Sequence, residues 1–265
     1  MRHLRLTAAL VAMLLLSGMA VVAHAVDGVT LITQNTVLAA GGFPFHITQP
    51  GSYRLASNLI VPNANTTAVQ IDASHVTLDL NGFAILGPTD CSGGLVPCAG
   101  AGSGIGINAP VFQANITIRN GTIQGMGLVG ISLNGEVHLV EDMHVRSNGA
   151  FGGIQINAVP GSDLAGSIVR NNTVQRNGGF GIITTNSLVT HNVVDTNVDG
   201  IFLQFGGLAS YNVVTHHLLT GLTLQGGGFI GNVLTGNGTN LDAISGSLNL
   251  GQNLCGQAIC PGAQF

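Results

Sequence analysis

The sequence predicts an all-β chain wound into a parallel β-helix, a solenoid of about ten short rungs. Three observations predict it. A glycine followed by alternating apolar residues recurs as GIGIN from Gly104, GISLN from Gly130, GIQIN from Gly153, GIITT from Gly181, GIFLQ from Gly200 and GLTLQ from Gly221. Asn172, Asn192, Asn212 and Asn232 stand 20 residues apart, and Asn253 follows after 21. Forty glycines, 7% charged residues and no Trp or Lys describe short strands and tight turns, a composition poor in helix formers.

The first 25 residues stand apart from the fold. Arg2 and Arg5 give a basic start, Leu6 to Val22 is an apolar run, and Ala23-His24-Ala25 supplies the small-x-small pattern of a cleavage site. Residues 1–25 therefore read as a secretory signal peptide, with the mature chain beginning near Val26 and located outside the cytoplasm, extracellular or periplasmic. A short membrane anchor is the competing reading of the same run. No later stretch is long and apolar enough to span a bilayer.

A formal net charge of −4, with few charges of mixed sign, offers no basic footprint for nucleic acid and no polybasic patch for lipid. The four cysteines form two local pairs, Cys91 with Cys98 and Cys255 with Cys260. In an oxidising compartment each pair reads as a disulfide closing a small loop, worth about 2 kcal/mol in the loop-entropy account. Three connectivities are open to four cysteines. A zinc site is the alternative, but the C-x2-C knuckles it normally needs are missing; no metal or cofactor is expected.

Alternation at period two marks the repeated segments as strands. In GIFLQ, Ile201 and Leu203 point inward while Phe202 and Gln204 point out. A second apolar motif runs between the glycines: ITIRNGTI from Ile116, HLVEDMHV from His138, SIVRNNTV from Ser167, SLVTHNVV from Ser187, LASYNVV from Leu208 and FIGNVL from Phe229. A repeat of about twenty residues matches one complete coil better than a hairpin meander, each coil burying an apolar column only with its neighbours. Asn172, Asn192, Asn212, Asn232 and Asn253 then stack at one corner, where amides bond to one another and to the turn backbone. Asn148, Asn177, Asn197 and Asn237 mark another corner, interrupted by His217.

TTAVQIDASHVTLDLNGFAI from Thr66 and ANITIRNGTI from Ala114 resemble the pectin lyase-like superfamily, in particular bacterial right-handed parallel β-helix repeat proteins, over roughly residues 50–255. The resemblance implies a right-handed solenoid with closed ends: an N-terminal cap over residues 26–54, chiefly Asp27 to Arg54, and a helix domain over 55–265 closed by Cys255 to Phe265. Caps are physically required, because a terminal coil offers unpaired backbone to any passing strand. Gly87 to Gly104 reads as a loop projecting from one corner.

The same resemblance raises the question of polysaccharide cleavage. A lyase must neutralise a uronate with calcium or cations and remove a proton with a base, commonly Arg or Lys. This chain has no Lys, and Asp142, Asp195, Asp199 and Asp242 are scattered. The hydrolases of the superfamily carry motifs of N-T-D, D-D, G-H-G and R-x-K character with adjacent carboxylates; none occurs here, and Asp195-Thr196-Asn197 reverses the first.

Aligning the repeats places Arg119, Glu141 and Arg170 in one column, a solvated ladder of alternating charge. Arg176, Asp195, Thr196, His216 and His217 fall in adjoining columns of successive coils, a candidate polar groove able to hydrogen-bond a sugar. Ordinary corner chemistry competes with it, since Asp and His accept turn geometry. His75, His138, His144 and His191 carry less weight. Thr173, Val193, Val213 and Val233 form an outward column, and Val193, Val213 and Val233 are a candidate contact for a second subunit. The sequons at Asn65 and Asn115 arise readily in an Asn- and Thr-rich chain and support no inference.

Three functions compete on this reading. The first is a secreted module that binds a glycan or cell-surface polymer without cleavage, the second an atypical polysaccharide lyase or hydrolase. The third is a structural or assembly protein of the periplasm.

Overall fold

The computed structural model describes residues 28–90, 98, 102–158, 166–243 and 246–261. Over these the chain winds as a parallel β-solenoid of about nine turns, with one short helix. The segment read as a signal peptide lies outside the described residues. So does Cys91, and with it the proposed Cys91–Cys98 pair. No helix among the described residues is long and apolar enough to cross a membrane.

Each turn lays strands on three faces, and every face is a parallel ladder joining one turn to the next. On the first, Leu78, Ile118, Val140, Val169, Val189, Ala209 and Phe229 stand in register. On the second, Leu59, Ile85, Ile123, Val145, Val174, Val194, Val214 and Leu234 do so. On the third the file is Val69, Ile107, Ile131, Ile154, Ile182, Ile201 and Leu222. All of these side chains are buried and meet along the axis in one continuous core. Period-two alternation thus works as the sequence implies, with Ile201 and Leu203 inside and Phe202 and Gln204 outside. Thr184 takes an inward place opposite Leu203, and its hydroxyl has no hydrogen-bond partner; the structure offers no account of why it is not Val.

Two corners are held by buried amides. Between the first and second faces, Asn172, Asn192, Asn212, Asn232 and Asn253 form an unbroken ladder. Asn212 Oδ1 accepts from both the backbone N–H and Nδ2 of Asn192, each at 3.0 Å. Its own Nδ2 donates to Val189 O and to Asn232 Oδ1. The same pattern repeats at Asn172, Asn192 and Asn232. Between the second and third faces Asn148, Asn177 and Asn197 do likewise.

At this second corner the structure corrects the sequence reading twice over. His217 neither interrupts the ladder nor belongs to a surface groove: it is 3% exposed and serves as a rung. Its Nδ1 accepts from Asn197 N at 3.0 Å, its Nε2 donates to Val194 O at 3.1 Å, and its backbone N–H donates to Asn237 Oδ1. Imidazole here places an acceptor and a donor where the other turns use the amide oxygen and nitrogen, which requires the neutral ring. Burial accordingly lowers the His217 pKa, against upward pulls from the Asn197 and Val194 backbone and from Asp195 and Asp199. His138, at the corner between third and first faces, is buried in the same manner. Its Nδ1 accepts from Ile116 N, while Nε2 has no hydrogen-bond partner. Burial drives its pKa down to about 4, with a partial upward pull from the Asn134 carbonyl.

The charge column is in register as expected and extends one turn further, through Asp79, Arg119, Glu141 and Arg170. Arg170 pairs with Glu141 at 2.7 Å and Arg119 with Asp79 at 3.2 Å. In both pairs the carboxylate is mostly buried and the guanidinium half exposed, so the column is covered rather than fully solvated.

Both ends of the stack are covered. At the N-terminal end strand Val29–Ile32 pairs with Gly51–Leu55, and helix Gln34–Ala39, started by a Thr33 capping box, inserts Val37 into the core. At the other end Leu254–Cys255 folds back antiparallel onto Ala258–Ile259, fastened by the Cys255–Cys260 disulfide. Cys260 is buried there, and Asn249 Nδ2 donates to its carbonyl at 3.0 Å.

Two outcomes test this architecture. Asn212→Ala strands the Asn192 N–H and the Val189 carbonyl in the core, and should lower unfolding free energy in urea by roughly 3 kcal/mol, while Thr173→Ala should stay within about 0.5 kcal/mol. The histidines set the acid response. Because their folded pKa values lie below the ordinary 6.5, the unfolded chain binds protons that the native one refuses. Stability should hold above pH 6.5 and fall as pH drops towards about 4, the value reached by His138. His217→Asn, which restores an amide rung, should flatten that fall in thermal melts across pH; an unchanged slope would show that His217 takes up protons equally in the folded and unfolded chain.

Candidate functional site

The second face carries the candidate site. Its strands are three residues long on the Asn172, Asn192, Asn212 and Asn232 turns: Thr173–Gln175, Val193–Asp195, Val213–Thr215 and Val233–Thr235. Each strand turns one residue in and two out, and the corner residue at either edge also points outward. Four outward columns result. They begin with Asn171, His191, Tyr211 and Gly231, then Thr173, Val193, Val213 and Val233. Next come Gln175, Asp195, Thr215 and Thr235, and finally Arg176, Thr196, His216 and Gly236.

Asp195 is the polar centre. Its Oδ1 accepts from Thr215 Oγ1 at 2.7 Å and from His216 Nδ1 at 2.9 Å, and its Oδ2 accepts from Thr196 Oγ1 at 2.5 Å. Partial burial pushes the carboxyl pKa up, but the three hydrogen bonds and the His216 charge outweigh it, and the pKa lies below the ordinary carboxylate value. Asp195 is therefore a fixed anion that acts as an acceptor. The His216 side chain is 68% exposed, so the ring is held by one nitrogen and offers the other to solvent.

The structure thus brings together Asp195, Thr196 and His216 of the sequence-derived set and adds Thr215, which lies outside that set. Arg176 shares the corner column but stands apart. Its backbone N–H donates to Asp195 O at 3.2 Å, and its exposed guanidinium makes no hydrogen bond or ion pair with the described residues. His217 lies beneath the surface in the ladder. Asp199, which a cleavage site would have drawn towards Asp195, instead accepts from Thr220 N at 3.0 Å. Among the described residues the donors to the Asp199 and Asp195 carboxylates are different, so the two are not joined in one network. Among the described residues no group of three or more His, Cys, Asp or Glu is placed to hold a metal ion.

The apolar column is present: Val193 and Val213 are exposed, and Thr173 and Val233 half-buried. It is one residue wide, between the corner rings on one side and the Asp195 network on the other, and so forms the floor of the face. The sequence reading also undervalued the far edge. His191 and Tyr211 stack with ring centroids 5.3 Å apart and planes at 29°.

The corner backbone makes these side chains costly. Arg176, Thr196 and His216 have φ of 55°, 55° and 56°, and His191 and Tyr211 have 55° and 54°. This left-handed conformation costs a residue other than Gly or Asn about 1 kcal/mol. The next turn uses Gly at both corners, Gly231 and Gly236, with φ of 64° and 69°. Large side chains therefore occupy positions where the fold would accept glycine.

Comparison with known proteins leaves the family open. No protein-family model matches the sequence, and no curated protein matches it. Among solved structures, the crystal structure of the Dettilon tailspike protein (gp208) aligns with a TM-score of 0.44 at 15% identity, over 85% of this chain and 52% of that one. The chain thus spans about half the length of that tailspike chain.

Proposed function

We propose that the second face binds an extended glycan or cell-surface polymer without cleaving it, and that the protein is an exported β-helix module of pectin lyase-like type. The observation carrying this reading is the exposed network on Asp195, whose carboxylate holds Thr196, Thr215 and His216 from two adjacent turns on one face. A parallel sheet with turns about 4.8 Å apart presents its donors and acceptors as a regular grid, which suits a repeating ligand better than a small compact one. The Asp195 network is preorganised, so ordering it on binding costs little. The disulfide between Cys255 and Cys260 agrees with an oxidising location.

Cleavage is the weaker reading because the Asp195 carboxylate is committed to three donors. Affinity electrophoresis against neutral and acidic polysaccharides should retard the protein, and Asp195→Ala or His216→Ala should weaken the strongest interaction about tenfold, the loss of roughly 1.4 kcal/mol. Ultraviolet absorbance should show no unsaturated product, with or without calcium. Absence of retardation by every polymer at millimolar sugar would remove the proposal.

A further inference from the structure

The aromatic edge of the same face has no part in the Asp195 network. We infer that Tyr211, backed by His191, is a stacking subsite for a pyranose ring, and that the polymer it receives is neutral rather than uronate-bearing; the inference rests on the glycan-binding reading of this face. Tyr211 is 49% exposed although one side of its ring lies on His191. The stack is held before any ligand arrives. His191 Nδ1 shares a 2.8 Å hydrogen bond with Thr190 Oγ1, which in turn accepts from Ser210 Oγ at 2.8 Å.

The glycine beyond it explains how the ring is seated. A Cβ on Gly231 would fall 2.5 Å from Tyr211 Cδ1 and Cε1, so the ring lies over the place where a side chain would be. The same corner then carries Gln252, exposed and left-handed with φ of 58°, so the gap beside the aromatic ring is one turn wide. An ordinary stabilising pair gains about 0.5–1.5 kcal/mol, but it would bury its rings. This one stands half in solvent and occupies left-handed positions that Asn171 and Gly231 fill on the adjacent turns.

Charge decides the class of sugar. On the Asn192, Asn212 and Asn232 turns the outward columns of this face hold one fixed charge, the Asp195 carboxylate, and no Arg. A uronate stacked on Tyr211 would find the one Arg of the four outward columns, Arg176, two turns back and at the opposite edge of the face, with the Asp195 carboxylate between them. A neutral pyranose instead offers C–H groups to Tyr211 and hydroxyls to Thr215 and His216.

The composition provides a direct probe, because the chain has no Trp and two Tyr. Tyr53, whose hydroxyl donates to Gln49 O near the N-terminal end, is remote from this face. In the full chain carrying Tyr53→Phe, emission comes from Tyr211. Titration with cellohexaose, mannohexaose, chitohexaose and polygalacturonate, paired with calorimetry, should give a saturable emission change with at least one neutral hexasaccharide and none with polygalacturonate. Tyr211→Ala should weaken that binding about tenfold and Tyr211→Phe should leave it within about threefold, with thermal melts confirming that both variants fold. Calorimetric binding with unchanged emission and an indifferent Tyr211→Ala would overturn the subsite while leaving the face as a glycan binder. Tighter binding of polygalacturonate would overturn the neutral class, and no binding of any probe would overturn both inferences.

Discussion

A buried amide must have its hydrogen bonds, and in this solenoid each corner asparagine finds them only in the turns on either side. The Oδ1 of one rung receives two N–H groups from the turn before it, and the Nδ2 reaches a carbonyl of an earlier turn. A slip of one residue would put Val193 and Val213 where an acceptor is required and turn Val194 and Val214 out of the core. Hydrophobic burial supplies the drive to stack, while the amide ladders select the register in which stacking occurs. Every outward column inherits that register.

This inheritance connects the core to the surface. Asp195 meets Thr215 and His216 because Asn192 sits on Asn212, and Tyr211 meets His191 for the same reason. The ladder also pins the short strands so firmly that the corner beside each rung can hold Thr, His or Tyr in a left-handed conformation. On the Asn232 turn the same corners hold glycine, Gly231 and Gly236. Stability is thus concentrated in the buried files, and the outer columns are free to vary in chemistry without moving the backbone.

Much of this was legible because the turns from Asn172 to Asn253 have no long insertion. A constant interval of about 20 residues put chemically like residues in one file, and the strand alternation and the charge column followed. The earlier turns were harder to read, since segments such as Gly87 to Gly104 stretch the interval. Histidine was the main source of error. In sequence His217 looks like its exposed neighbour His216, yet the first continues an amide file and the second leaves it; position in the repeat, rather than residue type, held the answer. His191 and Tyr211 were undervalued because single residues beside an asparagine read as turn filler. Their signal was two ring-bearing residues on successive turns of one corner file, visible only once the corners were aligned.

The dependence of the display on register can be measured without any ligand. Val193→Cys combined with Val213→Cys puts two thiols on adjacent turns, about 4.8 Å apart at the backbone and within disulfide reach. Val193→Cys with Val233→Cys puts them two turns apart, roughly 10 Å, and out of reach. Mild oxidation followed by peptide mapping should find an intramolecular bridge in the first variant and free thiols in the second. Equal bridging in both, or bridging only in the second, would contradict the stacking on which the site is built.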